Sequence, residues 1–576
     1  IMSHTSKIFE EAPIKVQNKN GFDLSHLNCG TSKTGQLVPV MCKLLPPNSD
    51  FTLGIAMNVS LPPLATQFLG RVDAIVEGFV IPLSVLYGGW KQFISNQQDT
   101  MFPATQSGVV SAGGFAVPFW NFNAVLSNNY ANFLSLYGTN DNVYEYLGIK
   151  IPKNLAPSAS STAVHVSLLP ALAYHLCWNT YYRNKQVTKS IFAVNPNASY
   201  SGLNKKSVSL IWHSFYGKVA EVSGSASDPR WMSADFTALD DQYTTINDQL
   251  TFPDGVSVFG TRQRCYARDY FTAATPDVQQ GNASSLAFSV DAQGDGEFTI
   301  ASLRAANALQ KFLETNNLSG DYSDLMRNRW GTRPIDADFD EPYYLGRVVL
   351  PVYQKSVYQN HDDGNLSGTS ANPFVAGGQL AAKGADGSFV GEGSITEKFH
   401  NSTWSYVMCL FSLVPHAAYG YGLNRELLAT EIGDFPAPEM QTIGYEDIKS
   451  YEVLMGALTN CASDFGYIPR YSFFKYMLDE IHGEMRPGRT LESFALQRTL
   501  AFSGDTAQLS TAFLTIPQDA LDSVFAVSTA AMNLSCWYEI YFKFKVAMPL
   551  ADFCIPTLGD IQDTHTIKTP VAGSRL

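Results

Sequence analysis

Asp50-Phe51-Thr52-Leu53-Gly54-Ile55-Ala56-Met57-Asn58-Val59-Ser60-Leu61 alternates without a break, with large apolar residues at every odd position and Thr, Gly, Ala, Asn or Ser between them. Period-two alternation over that length predicts a strand with one face on a core and the other on solvent. The far end of the chain repeats the pattern: Ile540, Phe542, Phe544 and Val546 alternate with Tyr541, Lys543 and Lys545. Residues 37–45 read as another strand, with Pro46-Pro47-Asn48-Ser49 as the turn into the alternating one. Residues 72–86 are apolar on both faces apart from Asp73 and Glu77, which predicts a strand buried on both sides. Residues 345–353 and 404–414 are two further strand candidates. Strands gathered at the two ends, with long stretches between them, predict one mainly β unit fed by both termini and interrupted by insertions. A Greek-key sandwich or jelly roll is built this way.

Helices are expected in the middle. Ile300, Leu303, Leu309, Phe312 and Leu313 keep helical spacing behind Thr299 or Ser302 as N-cap. Ile448, Tyr451, Met455 and Leu458 do the same, and a third helix is expected from Pro170 through Leu172, Leu176, Tyr181 and Tyr182. Residues 187–264 hold ten aromatics, too many for a floppy linker, and are expected to fold as an inserted subdomain. Residues 355–401 carry eight glycines and few large apolar side chains, which predicts a long surface loop.

Acidic residues outnumber basic ones, 52 to 39, for a net charge of −13, which argues against coating nucleic acid by bulk charge. Charged residues make up 16% of the chain, against about 25% in ordinary soluble proteins. Few charges with many aromatics suit a chain that hides surface against partners, although a large β enzyme would share that composition. The eight cysteines form no CxxC pair and read as free thiols of a reducing cytoplasm. The opening Ile1-Met2-Ser3-His4-Thr5-Ser6-Lys7 has no apolar h-region, so no signal peptide is expected. Apolar stretches such as residues 407–414 fall short of the ~18 residues that cross a bilayer.

No catalytic constellation stands out: GxSxG, HExxH and GxxxxGK[ST] are all missing. Gly420-Tyr421-Gly422 lacks the third glycine of a nucleotide fingerprint. His361-Asp362-Asp363 lies in a glycine-rich run and reads as solvated turn residues rather than a metal site. Asp291-Ala292-Gln293-Gly294-Asp295-Gly296 half-resembles a calcium loop, but Ser302 stands where a bidentate Glu is needed, and an Asp-Gly turn fits better. Asp240-Asp241 and Glu10-Glu11 are neighbours in sequence, which says nothing about pairing in space. No catalytic residue, metal ligand or cofactor is assigned, and the chain is not expected to be an enzyme. Arg327, Arg329 and Arg333 around Trp330, and Arg183 and Lys185 after Tyr181-Tyr182, set basic residues beside aromatics. That pattern can carry single-stranded nucleic acid; bridging subunits or capping helix ends explains it more simply. Lys7, Lys15 and Lys19 lie in a segment poor in apolar residues, expected to be an extended arm.

Several motifs, taken in order, resemble the major capsid protein of gokushovirus-type microviruses, small icosahedral phages with single-stranded DNA. They open with Gly21-Phe22-Asp23-Leu24-Ser25-His26, Gly35-Gln36-Leu37-Val38-Pro39-Val40 and Leu45-Pro46. Phe79-Val80-Ile81-Pro82 with Gly89-Trp90-Lys91-Gln92-Phe93 follows, then Leu169-Pro170-Ala171-Leu172-Ala173-Tyr174 with Trp178-Asn179-Thr180-Tyr181-Tyr182-Arg183-Asn184. Arg268-Asp269-Tyr270-Phe271-Thr272 with Gln280-Gly281, Thr299-Ile300 with Leu303-Arg304, and Asp336 with Glu341-Pro342-Tyr343-Tyr344-Leu345-Gly346 continue the series. Phe465-Gly466-Tyr467 with Arg470-Tyr471, Gly483-Glu484-Met485-Arg486, and Met548-Pro549 with Ile555-Pro556-Thr557-Leu558-Gly559 complete it. Each motif is weak alone; their common order over nearly the whole chain is what carries the resemblance. Departures fall at residues 274–279, where the family has Leu-Pro-Trp-Pro-Gln, and at residues 338–342, where its Arg-Leu-Gln-Arg-Pro run is reduced.

The resemblance implies a single eight-stranded antiparallel jelly roll with long, partly helical insertion loops. Many copies would form an icosahedral shell around a circular single-stranded DNA genome. It implies a virion protein made in the host bacterial cytoplasm, without membrane insertion. The expected partners are copies of the chain itself, a small basic internal DNA-binding protein, a pilot protein and a host surface receptor. Four divisions of the chain are expected: an N-terminal arm over 1–36, the first strands with a helical insertion over 37–186, an inserted subdomain over 187–264, and the remaining strands over 265–576. The subdomain is expected to make the threefold protrusion and contact the host. Lys7, Lys15, Lys19 and Arg183 are expected to face DNA. The competing readings are another virion or host-binding protein, such as a spike, and a carbohydrate-binding or carbohydrate-active β protein.

Overall fold

A computed structural model of the chain describes residues 19–64, 69–86, 119–121, 131–151, 165–188, 256–278, 300–318, 322–331, 341–352, 354–357, 384–416, 418–455, 462–498 and 509–550. Trp90, Ile94, Ile191 and the pairs 502–503 and 506–507 are also described. The strand pattern folds into two antiparallel sheets. β1 (Asn20–Asp23), β2 (His26–Ser32), β3 (Gln36–Leu45), β4 (Ser49–Ser60) and β5 (Arg71–Pro82) come from the N-terminal side. β6 (Tyr343–Val352), β7 (Gly384–Asn401), β8 (Ser405–His416), the small ladder of β9 (Tyr445–Lys449) and β10 (Asp464–Pro469), and the closing β11 (Cys536–Met548) follow.

The first sheet runs β1–β11–β4–β7, with β2 continuing along β11 where β1 stops; the second runs β3–β8–β5–β6. Asn20 lies opposite Met548 and Ser32 opposite Cys536, so β1 and β2 together cover one edge of β11. The break between them is stitched by Leu24 N–H to the Phe544 carbonyl at 2.8 Å and by Phe544 N–H to Ser25 Oγ at 3.1 Å. Much of the segment expected as an arm is therefore laid into the sheet.

Alternation decides which face each strand buries. β4 turns Phe51, Leu53, Ile55, Met57 and Val59 inward, and β11 turns Tyr538, Ile540, Phe542, Phe544 and Val546 inward. The second sheet meets them with Val76, Val80, Val407, Cys409 and Phe411. The rings of Phe411 and Tyr538 meet across the gap with centroids 4.6 Å apart. β5 and β8 are buried on their other face as well. There Phe79, Ile81, Met408 and Leu410 pack under a helical layer. That layer holds α1 (Ala131–Gly138), α2 (Val143–Leu147) and α3 (Leu169–Cys177), the last continuing as a π turn over Trp178–Tyr182. Two further helices, α4 (Ile300–Leu318) and α5 (Tyr322–Trp330), follow in the chain.

Three expectations are corrected. The strand expected to residue 86 stops at Pro82, which has no N–H for the ladder, and Leu83–Leu86 is a helical turn. Ile448 lies in β9 opposite Gly466, with only a short turn, Ser450–Val453, after it, because strand pairing overrides the helical spacing. Met455 is exposed and Leu458 lies outside the described residues. The run 355–401, expected as a surface loop, contains the 18-residue strand β7, which pairs along β4. Its glycines are partly a packing device, since a Cβ on Gly393 would stand 2.9 Å from Val348 Cγ1. Gly346 of β6, at φ +148°, answers it, because a Cβ there would lie 2.9 Å from the Ile395 carbonyl oxygen. The facing edges of the two sheets close on each other through these glycines.

Phe411 is fully buried between the sheets. Phe411→Ala is expected to cost about 3–5 kcal/mol by denaturant unfolding of the unassembled protein. Glu539→Ala, on the wet face of β11, is expected to change stability by no more than about 0.5 kcal/mol. Equal losses in the two variants would contradict the assignment of faces.

Candidate functional site

Where the second sheet meets its helical cover, charges are buried and answered within the chain. Glu77, on the outer face of β5, accepts hydrogen bonds from the Tyr182 hydroxyl and from Arg264 Nη1 at 2.7 Å. The same guanidinium reaches Ser412 Oγ at 3.1 Å and lies over the Tyr182 ring at 5.2 Å. Burial, and then the Glu77 charge, push the Tyr182 phenol well up, so it remains a donor. Nearby, His175 Nε2 lies 2.8 Å from the Val258 carbonyl oxygen, and Arg262 Nε donates to Nδ1 at 3.1 Å. One ring nitrogen must donate and the other accept, so the ring is neutral. Burial, and then the Arg262 charge, hold its pKa well below the usual histidine value.

The motifs that carried the resemblance prove to be fastenings of this kind. Asp269 accepts the Thr272 N–H at 2.7 Å, the Tyr419 hydroxyl at 2.7 Å and Arg498 Nη1 at 3.4 Å, while Tyr270 and Phe271 enter the core. Arg498 also donates to the Phe513 carbonyl at 2.6 Å. Glu452, its pKa raised chiefly by burial, takes Arg425 Nη1 at 2.7 Å and the Tyr270 hydroxyl at 3.3 Å. Trp178 Nε1 donates to the Gln263 carbonyl at 2.8 Å, and the Tyr181 hydroxyl to that of Pro342 at 2.5 Å. Gly422, at φ +93°, has the Glu452 carbonyl oxygen 2.1 Å from where a Cβ would stand, so that glycine serves close backbone approach. Sequence reading noticed Glu77 only as an interruption of an apolar run and did not single out Arg262, Arg264 or Arg498 as partners. A lone charge inside an otherwise apolar strand was the available signal.

Of the residues expected to face DNA, Lys7 and Lys15 lie outside the described residues. Lys19 Nζ pairs with Asp50 at 2.5 Å, beside β1 and β4, and His400 Nδ1 lies 2.7 Å from the other carboxylate oxygen. Those two hydrogen bonds lower the Asp50 pKa. Arg183, half-buried at the end of the π turn, donates to the Thr188 carbonyl at 2.5 Å and the Asn179 carbonyl at 3.2 Å. Lys19 thus belongs to the first sheet and Arg183 to the cover of the second. The segments 291–296 and 361–363 lie outside the described residues, as does most of 187–264. Among the described residues no group of three His, Cys, Asp or Glu could hold a metal ion, and no helix is long and apolar enough to cross a membrane. The described cysteines, Cys29, Cys42, Cys177, Cys265, Cys409 and Cys536, are free thiols.

Among the described residues, large apolar side chains stand exposed, including Ile432 at 94%, Leu427 at 73% and Trp330 at 71% exposure. Exposed apolar side chains of this size can mark surfaces that meet other molecules. Comparison with known proteins gives the chain a family. Residues 138–558 match the phage family described as Capsid protein (F protein), and the chain belongs to that family. It is also 22% identical to Capsid protein VP1 of Chlamydia phage 1, over 96% of this chain and 98% of that one. The chain is therefore a capsid protein of the microvirus kind, a component of the virion, and its role is structural.

The His175 site makes stability pH-dependent. The unfolded chain takes up a proton at this residue below about pH 6.5 while the folded ring stays neutral, so the contribution is intact above that pH and lost below it. The slope from this one group approaches ~1.4 kcal/mol per pH unit. His175→Gln, which keeps a donor and an acceptor, is expected to flatten the dependence of unfolding free energy between pH 6.5 and 5. An unchanged slope would mean that His175 is already protonated in the fold.

Proposed function

We propose that this chain is the major capsid protein, and that it self-assembles into a small icosahedral shell enclosing a circular single-stranded DNA genome. The observation that carries the reading is the alignment, nearly end to end, with a phage capsid protein. The strand order supports the finer architecture. With β1 and β2 counted as one broken strand, each sheet has four main strands, and apart from the small β9–β10 ladder successive strands alternate between the two sheets, except β5 and β6, which pair with each other within the second. That wrapping is the arrangement of an eight-stranded jelly roll. Exposed apolar side chains support self-association, because copies in a closed shell must each carry patches that meet other copies.

In this reading a small basic protein neutralises the genome inside, and a pilot protein and a bacterial surface receptor complete the set of partners. The net charge of −13 favours a separate basic partner, because the chain itself is a poor bulk counterion. The insertion over 187–264 is proposed as the threefold protrusion that contacts the host, on the strength of its length, aromatic content and position between two motifs of the family. Electron microscopy of purified protein is expected to show uniform shells or rings of subunits. A variant lacking residues 202–254 is expected to assemble and to adsorb poorly to host cells. A monodisperse monomer at every salt and protein concentration would sink the assembly reading, and normal adsorption by the deletion would sink the protrusion.

Lys7, Lys15, Lys19 and Arg183 are proposed to face the genome. For Lys19 and Arg183 this requires exchanging or sharing the intrachain partners they hold, so any DNA contact there competes with Asp50 or with backbone carbonyls. Each true phosphate contact contributes about 0.7 to the salt dependence of single-strand binding. Particles of the fourfold alanine variant are expected to release DNA at lower salt than wild type, with shell integrity checked in parallel. Identical DNA retention as salt rises would remove these residues from the interface.

A further inference from the structure

Two exposed surfaces of the chain are matched in character and opposite in charge. The first is the segment from Asn424 to Met440, built of two short 3₁₀ turns, Arg425–Leu428 and Ile432–Asp434, with a third starting at Pro438. It turns Leu427, Ile432 and Phe435 outward, and its exposed acids include Glu426 and Glu431. Asp434 accepts the backbone N–H groups of Thr430 and Glu431, both at 2.9 Å, which fixes the turn and keeps its carboxyl below the usual range. The one basic residue of the segment, Arg425, is turned inward onto Glu452. Arg470 Nη2, from just past β10, donates to the Gly433 carbonyl at 3.2 Å and is half-buried behind the turn, so the exposed charged side chains of the segment itself are acidic, beside its apolar ones.

The second surface is the helical pair α4 and α5. Arg329 of α5 lies 4.0 Å over the Phe312 ring of α4 and donates to the Phe312 carbonyl at 3.3 Å, so the two helices touch at this point. Ile300, Leu309, Phe312 and Trp330 are exposed on this pair, and its exposed charges among the described side chains are Arg304, Lys311 and Arg327. The acids of the pair, Glu314 and Asp324, lie toward the connecting turn in sequence. Among its described side chains this surface is apolar and basic.

We propose that the acidic 424–440 surface of one copy docks on the α4–α5 surface of the next copy, a head-to-tail contact between subunits. The occupant is argued from charge: an apolar patch rimmed with acids is complemented by an apolar patch rimmed with bases, and both belong to the same chain. A contact between two different patches of the same chain continues from copy to copy and closes into a ring when the rotation allows. The apolar side chains supply burial, and the charges set register and oppose like-to-like pairing. The proposal rests on the assembly reading and specifies one of its contacts.

The test uses the full chain and two sets of exposed residues outside the buried fastenings. One set is Glu426→Lys with Glu431→Lys, and the other is Arg304→Glu with Arg327→Glu. Melting temperatures of unassembled variants, compared with wild type, show that each is folded, and Ile432→Asp, at a side chain 94% exposed, is a further variant unable to disturb the core. Sedimentation and electron microscopy then read the protein concentration at which oligomers and shells form. Each charge set alone, and Ile432→Asp, are expected to raise that concentration by at least about tenfold, and the two sets combined to bring it back toward wild type. The wild-type contact is expected to weaken as salt rises. Variants that assemble like wild type, or a combined variant no better than its worse parent, would overturn this contact while leaving the assembly reading in place. A wild-type chain that never assembles would overturn both.

Discussion

The last strand holds the molecule together. β11 lies between β1 and β2 on one side and β4 on the other, so a segment near residue 540 is paired on both edges by strands from the first sixty residues. No strand of the first sheet can bury its apolar face until that pairing is made, because β4 and β11 supply most of the side chains that meet the second sheet. Such pairings close very long loops, and their entropy is spent before any contact rewards it. Pairing of this kind, between strands far apart in sequence, gives the fold a high contact order, which is expected to slow folding.

A second constraint follows from the helical cover. β5 is buried on both faces from Val72 to Pro82, so polar groups along it must be satisfied within the chain. Glu77 is satisfied by Tyr182 and Arg264, and Asp73 by Arg71 at 2.7 Å and His416 at 2.9 Å. Breaking one partner of such a set leaves a buried charge unanswered, which costs more than the intact set contributes. These ties fix how the helical layer sits on the sheet.

The outer surface has the opposite economy. Side chains such as Ile432 and Trp330 are left uncovered, and the chain has few charges with which to keep such surface soluble. An isolated subunit is therefore a species poised to associate. A fold tied inside by buried polar groups, with large apolar side chains exposed, is compatible with the capsid family to which the chain belongs.

The sequence by itself determined the strands, because a period of two with one apolar face can be satisfied only in a sheet. The alternation at residues 51–61 and 540–546, and the two-sided apolar run behind Asp73, each became a strand of the expected burial. It also carried the capsid family, through motifs whose order no single residue could fix. Tertiary structure decided what depends on partners distant in the chain. β7 was illegible because its glycines, which read as loop, answer the close approach of β6. Ile448 went to a strand because Gly466 was there to pair with it. The partners of Glu77 and His175 could not be read at all, since Arg264 and Arg262 reach them only once the chain is folded. Pattern is a local property and can be read along a line; charge pairing and close packing are set by distance in space, which the line does not contain.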